Sequence, residues 1–395
     1  MHTFQLPAGE LARRQDALRT GIERAGLDAM VVFGLTRIFY LSAFFHVPTE
    51  RPVALVVPLD RPISLLVPAL EEEHLRARVA ELGPLGVYPE YPGTDHPMHF
   101  LERLLADIGL AHAHLGADAD GYGDYMGYRG PALSTLVDQP VRIVPDLVDD
   151  LRLIKSAAEL DVLRTAGAWA ARTHRQLQDS MRVGVSETEI SRQAQWCVAD
   201  ELDGVLAEQG NLGGAASVHA SFRSGPRTSM AHALMGNRKL QPGDNLVSFC
   251  LGTVSGYSTE LERTMFLGEP SPRQRELFEA FLSAQDLGYA ACNPGHGCAE
   301  IEATVRGYLI DRGFADLIKH HNGHGIGLEG HERPFFDLGD QTVLQLGMVF
   351  SVEPGLYVPG LGGFRHSDTV ALTETGIEVL TPYPRGLADM IVEPR

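Results

Sequence analysis

The chain reads as an α/β (α+β) protein of two domains, and three observations carry that expectation. Its 395 residues are more than a single core usually serves. Helix-like and strand-like patterns alternate through the first part of the chain, as in a small α/β domain. Near residue 150 the pattern changes. Beyond it, two helical segments precede and two follow a pair of strand-like runs, with strand-like segments after each pair, an order that suggests internal duplication. The boundary is therefore placed at residue 150, giving an N-terminal domain at 1–150 and a second domain at 151–395.

In chain order, residues 10–25 carry Leu11, Leu18 and Ile22 at helical spacing before Gly26. A strand is expected at residues 28–33, and two more at 53–57 and 63–67, separated by Pro58, Asp60 and Pro62. Helical patterns return at 70–82 and 98–110. Residues 38–51, IFYLSAFFHVPTER, read as a loop that either packs on its own core or touches a ligand or partner. In the second domain, Ser156 with Glu159 forms a capping box opening a helix to about Met181, and Ser186 with Glu189 opens another. Ser271–Pro272–Arg273–Gln274 starts a third, with Pro at the first helical position, and residues 299–312 give a fourth.

Between the helix pairs, NLVSFCLGTVSGYSTELERTMFLG (245–268) reads as a β-hairpin, with Gly252, Ser255 and Gly256 marking its bend. Alternation puts Glu260 and Glu262 on one face, and Ser248 and Cys250 together on the partner strand. Adjacent buried carboxylates require a cation, a shared proton or a metal. Taken alone, the hairpin is read equally well as a solvated edge strand with Glu262 and Arg263 at its surface. Further on, HHNGHGIGLEGHERPFF (320–336) sets His324 and His331 among glycines that allow tight backbone bends. Glu353 ends an apolar run before Pro354–Gly355. A last strand follows, in which Arg365 and Ser367 share a face and His366 takes the other.

Composition narrows the function. With 44% apolar and 21% charged residues the chain is globular, and a formal charge of −18 argues against a nucleic-acid partner, which needs a basic face. The same charge suits a small cationic or zwitterionic ligand, or simply solubility. Cys197, Cys250, Cys292 and Cys298 form no CxxC, which indicates a reduced, cytoplasmic setting. No leader-like apolar stretch follows the N-terminal basic residues and no run of eighteen apolar residues occurs, so neither secretion nor a membrane span is expected.

The ordered motifs AHA (231–233), PGD (242–244), GYSTELERT (256–264), GHGIGLEGHE (323–332), MVFSVEPGLY (348–357) and FRHSDTV (364–370) resemble the creatinase, aminopeptidase P and prolidase family, M24. The resemblance covers the second domain and implies a pita-bread fold there. The family's peptidases hold two metal ions through five side chains. Here His324 and Glu353 stand at ligand positions, while Cys250, Glu260 and Ser367 stand where two aspartates and a glutamate belong. A serine does not replace a bridging carboxylate. The expectation is therefore no cofactor and no metal ligands, with room left for a single metal on Glu260, His324 and Glu353.

The site pattern is most similar to the family's metal-independent, creatinase-like members. That similarity implies His232 as the proton-transfer residue, although the bland reading of His232 is a structural histidine near a turn. It implies Glu262 and Glu353 as the holders of a planar amidine or guanidine, with His324 and His331 orienting water or substrate. Glu260, Tyr257 and Arg365 are expected to bind substrate, and Cys250 reads better as a small buried residue than as a nucleophile. Creatinase-like enzymes pair so that one small domain approaches the other site, which implies a homodimer with Phe45, His46 and Arg51 reaching a second subunit's substrate. The function expected is hydrolysis of a C–N bond in a small amidine, guanidine or amide. The alternatives are an Xaa-Pro peptidase with an altered metal site and a non-catalytic binding homologue on the same fold.

Overall fold

The computed structural model describes residues 4–123, 125–209 and 216–395. Contacts divide the chain into two compact units, one of residues 7–152 and one of residues 153–395 with the short N-terminal stretch before residue 7. The first unit runs α1 (Ala8–Arg24), β1 (Ala29–Val32), α2 (Leu35–Ser42), β2 (Ala54–Pro58), β3 (Ser64–Pro68), α3 (Ala69–Arg78), β4 (Leu85–Tyr88), α4 (Pro97–Asp107), β5 (Leu115–Ala117), β6 (Arg142–Ile143) and the start of α5 (Asp146–Leu153). Its strands form one mixed sheet in the order β4-β3-β2-β1-β5-β6. Every residue of β1, β2 and β3 is buried, because the sheet is covered on both faces; such strands read as continuous apolar runs without alternation. The stretch expected to be a loop at 38–51 begins instead inside helix α2. Asp118 accepts hydrogen bonds from the Phe33 and Gly34 amides at the start of that helix (both 2.8 Å), an anion where the helix end is electropositive.

The second unit runs α6 (Ala157–Asp179), α7 (Glu187–Glu208), β7 (Ser217–Ser224), β8 (Asn245–Val254), β9 (Tyr257–Glu262), β10 (Thr264–Leu267), α8 (Pro272–Ala291), α9 (Cys298–Asp311), β11 (His324–Gly325), β12 (Glu332–Phe335), β13 (Val349–Val352), β14 (Gly355–Val358), β15 (Gly362–Arg365), β16 (Ser367–Thr373), β17 (Gly376–Val379) and β18 (Ile391–Val392). Ten strands join into a sheet along β12-β11-β13-β16-β9-β8-β10-β18, with β7 on β8 and β17 on β16. The capping boxes of α6 and α8 form as their sequences require, and Ser186 Oγ accepts from the Glu189 amide at the head of α7 (3.2 Å). Helix α6 presses on β8 so closely that a Cβ on Gly252 would lie 2.0 Å from the Ala166 carbonyl oxygen. Gly252 is therefore a close-approach residue, and the bend itself is Ser255–Gly256, with φ of 48° and 78°.

The hairpin is not a solvated edge. Strands β8 and β9 lie in the middle of the sheet, and Glu262 and Arg263 are 1% and 0% exposed. Two strands expected to be continuous are broken, at Arg263 and at His366, and the breaks face one another. There the Thr264 side chain replaces the ladder, with Oγ1 donating to the Arg365 carbonyl (2.9 Å) and accepting from the Arg365 amide (2.7 Å). The Thr264 amide donates to His366 Nδ1 (3.1 Å). Arg263 turns into the core, where it meets Asp368 at 2.8 Å and donates to the carbonyls of Pro384, Ser367 and Tyr383.

His366 and His174 are both fully buried, and burial holds each ring well below the usual histidine pKa, so both are neutral in the fold. The unfolded chain protonates them below about pH 6.5, and the folded chain does not. Their contribution is thus complete above that pH and is lost as pH falls, by up to about 1.4 kcal/mol per pH unit per ring. The urea midpoint is expected to drop between about pH 7.5 and about pH 5.5, and His366→Asn is expected to make that drop shallower. An identical slope in the variant would show that His366 does not carry it.

Candidate active site

Alternation along β9 aims Glu260 and Glu262 to one face of the sheet, and Ser367 joins that face because it pairs with Glu262 in the β9–β16 ladder. His324 enters from β11, its amide donating to Ser351 Oγ (3.1 Å), and Glu353 follows β13, its amide donating to the Asn322 carbonyl (2.8 Å). One ligand atom each from Glu260, His324 and Glu353 lie within 4.8 Å of one another, and all three residues are buried. The His324 Nδ1–H donates to the Gly325 carbonyl (2.9 Å), which points Nε2 at the carboxylates. Nε2 has no hydrogen-bond partner; its 3.3 Å approach to Glu353 Oε1 is an ion-pair distance.

The charges explain one another. Burial pushes Glu260 up and repulsion from Glu353 adds to it, while Ser367 Oγ donates to its Oε1 (2.7 Å). Burial opposes a charged His324, but Glu353 and Glu260 more than offset it and raise the ring to about 9. Burial likewise opposes a charged Glu353, yet His324 and Arg365 pull it down to about 2. Glu262 is raised first by burial and pulled back by Arg365, whose Nη2 donates to Oε1 at 2.5 Å and whose Nε meets Oε2. That two-pronged contact is the geometry of an ionised guanidinium–carboxylate pair. Arg365 is the permanent cation beside three carboxyl groups, and a metal ion would displace the protons that Glu260 and His324 otherwise hold and be held in their place.

Arg365, expected to meet substrate, is already committed: besides Glu262 it donates to the Tyr357 hydroxyl (3.1 Å). Tyr357 in turn donates to His320 Nε2 (2.8 Å). Burial and then Arg365 lower His320 to about 4, so its ring is neutral and can accept. Sequence reasoning missed both Tyr357 and His320, although Tyr357 stands four residues after Glu353 and His320 four before His324. His331 lies face to face with His324 (centroids 3.8 Å, 11° between planes) and is exposed. His232 is exposed and close enough to His331 that its charge would lower that ring. Its loop is tied down by Arg223 Nε to the Ala233 carbonyl and by Arg227 Nη2 to the Leu234 carbonyl (both 2.5 Å). An open cleft of about 460 Å³ adjoins the histidines, lined by His321, Phe335, Asp337, Asp340 and Gln341.

Tyr257 does not reach this cluster. Its ring is buried with Phe4, Val162 and Leu163, and its hydroxyl donates to Glu159 on α6 (2.6 Å), so it is a packing residue rather than a substrate contact. Cys250 pairs with Leu261, which turns it to the face opposite Glu260 and into the apolar core, where burial keeps its thiol protonated. Phe45 and Arg51 belong to the N-terminal unit, Phe45 being 59% exposed and Arg51 paired with Glu50 (2.7 Å) and Glu90 (2.7 Å).

Residues 161–374 match the family model described as metallopeptidase family M24, and residues 14–154 match that of the creatinase/prolidase N-terminal domain. The chain is 33% identical over 94% of its length, and 98% of the relative's, to the uncharacterized peptidase YqhT of Bacillus subtilis. It is 33% identical to the Xaa-Pro dipeptidase of Pyrococcus furiosus over 62% of this chain and 67% of that one. The crystal structure of dipeptidase PepE from Mycobacterium ulcerans superposes with a TM-score of 0.80 at 29% identity, covering 98% of both chains. The expectation of a site without metal is overturned by this match to a metallopeptidase model and by the converging donors of Glu260, His324 and Glu353, which suit a divalent cation.

Tyr257→Phe separates packing from substrate contact. It is expected to lower unfolding free energy by about 1–2 kcal/mol in urea titrations, because Glu159 loses a buried donor, without weakening metal uptake. Weakened metal uptake in this variant would return Tyr257 to the site.

Proposed function

The chain belongs to metallopeptidase family M24, and from that premise we propose that it hydrolyses the amide C–N bond of small peptides, with Xaa-Pro dipeptides the first substrates to test. The observation that carries the reading is the convergence of ligand atoms from Glu260, His324 and Glu353. Relatives named as an Xaa-Pro dipeptidase and as dipeptidase PepE support the substrate class.

Glu260, His324 and Glu353 would hold the cation, which when bound supplies Lewis-acid polarisation of the substrate carbonyl and an acidified water. His331, held flat against His324 and open on its other side, orients the carbonyl oxygen of the substrate. His232 delivers a proton to the leaving nitrogen from a loop that Arg223 and Arg227 hold in place. The His320–Tyr357–Arg365 chain fixes the guanidinium on Glu262, so neither group has to reorganise during the reaction. Amidine cleavage has less support: holding a cationic substrate through Glu262 requires that carboxylate to be free, and Arg365 takes it. A homodimer in a cytoplasmic setting belongs to the same proposal, supported by the exposed Phe45 and Val47 (59% and 73%) and by four unpaired cysteines.

Purified apoprotein, reloaded with Mn²⁺, Co²⁺ or Zn²⁺, is assayed on Xaa-Pro dipeptides, other dipeptides, guanidines and amidines. Metal-dependent release of proline or another C-terminal residue is the expected result; faster turnover of the guanidines would replace this reading. His232→Ala and His324→Ala are each expected to cut kcat by about 10²-fold or more, with His232→Ala retaining bound metal and His324→Ala losing it. Near wild-type turnover in His232→Ala would return that residue to a structural role.

A further inference from the structure

We propose that the site takes one divalent cation rather than a pair, and that the Arg365 guanidinium serves as the fixed second cation of the carboxylate cluster. The inference rests on the reading that Glu260, His324 and Glu353 bind metal. Its grounds are the donors that fail to converge and the cation already present.

Among the described residues, the group able to hold a metal has three members, Glu260, His324 and Glu353. Cys250 is on the wrong face of the sheet, buried among apolar side chains with its thiol protonated. Ser367 is on the right face, but its hydroxyl is neutral and donates to Glu260 Oε1, so it behaves as a support for a ligand and not as a bridge between two ions. Glu262, the third carboxylate on that face, is held by Arg365 through both oxygens.

The guanidinium is no incidental neighbour. Arg365 is 7% exposed, lies 4.0 Å from Glu353 Oε2 through its Nε, and is fixed by the Tyr357 hydroxyl, which His320 anchors from behind. His320 donates from Nδ1 to the His321 carbonyl (2.7 Å), which leaves Nε2 free to accept from Tyr357 and sets the direction of the whole chain. One guanidinium and one dication neutralise three carboxylates. A second dication would leave the buried cluster with two excess positive charges, at a desolvation cost that nothing else on that face offsets.

The test counts metal without substrate. Full-length apoprotein is titrated with Mn²⁺, freed of excess, and measured by elemental analysis and by electron paramagnetic resonance. One Mn²⁺ per chain with the six-line signal of an isolated ion supports the proposal. Two per chain with an exchange-coupled spectrum, or no retained ion, overturns it. Arg365→Met is expected to bind a second ion, or its first at least about ten-fold more tightly, because the cluster then lacks its own cation. The paired Glu262→Gln/Arg365→Met variant removes both charges and is expected to return to one ion of wild-type affinity. If Arg365→Met binds Mn²⁺ as the wild type does, the guanidinium has no such role. Should that variant fail to fold, the wild-type count and spectrum decide. One bound ion without peptide hydrolysis supports this inference while removing the peptidase reading.

Discussion

A strand that presents two carboxylates to one face of a sheet must send its alternate residues to the opposite face, and the C-terminal unit is organised around that constraint. Glu260 and Glu262 look one way from β9, while Leu261 looks the other way, as does Arg263 just beyond the strand end. Arg263 is fully buried, so its charge needs an equally buried partner, and Asp368 on β16 supplies it at 2.8 Å. Asp368 is itself satisfied by the hydroxyls of Tyr289 (2.7 Å) and Thr381 (2.9 Å). Breaking a buried pair of this kind costs about 3–5 kcal/mol, since the remaining charge has no water to turn to. The pair therefore locks β9 to β16, and β16 in turn fixes the direction of Ser367 towards the carboxylates.

The electrostatic design on the carboxylate face follows from the same lock. Had Arg365 been free to swing, it could have paired with any of three acids. Tyr357 and His320 restrict it to Glu262, and the Glu260–His324–Glu353 trio is left with its ligand atoms turned towards one another. The low dielectric of the buried setting makes such an arrangement costly unless a cation completes it. Fold and affinity are in this sense coupled: the scaffold holds acids together that would otherwise repel one another.

Helix starts were legible because they are local. A Ser at the N-cap with Glu or Gln three residues on, or Pro at the first position, specifies its own hydrogen bonds, and the starts of α6, α7 and α8 were found that way. The face shared by Glu260 and Glu262 was legible for a similar reason, since alternation is a property of one strand. What escaped was tertiary. The breaks at Arg263 and His366 arise from side chains trading places with a distant ladder, and no local pattern marks them. The occupation of Glu262 by Arg365 joins residues about a hundred positions apart, and it changes the meaning of both. Tyr257 misled because its motif neighbour Glu260 is in the site while Tyr257 itself packs in the core with Glu159 as its partner. Helix α2 was missed because eight residues with two adjacent aromatics carry little periodic signal.

The orientation of Cys250 has an evolutionary meaning. If an ancestor of this chain held two metals, the loss of the second is not recorded as a simple exchange of one ligand for another. Restoring an aspartate at position 250 would bury a carboxylate in the apolar core on the far side of the sheet, where it would be selected against as a folding defect. Recovering the lost ligand would require the β8–β9 hairpin to gain or lose a residue, so that the parity of the strand is reversed. Because the Ser367 hydroxyl also stands where a bridging carboxylate would be needed, no single substitution at position 250 or 367 would supply donors for a second ion.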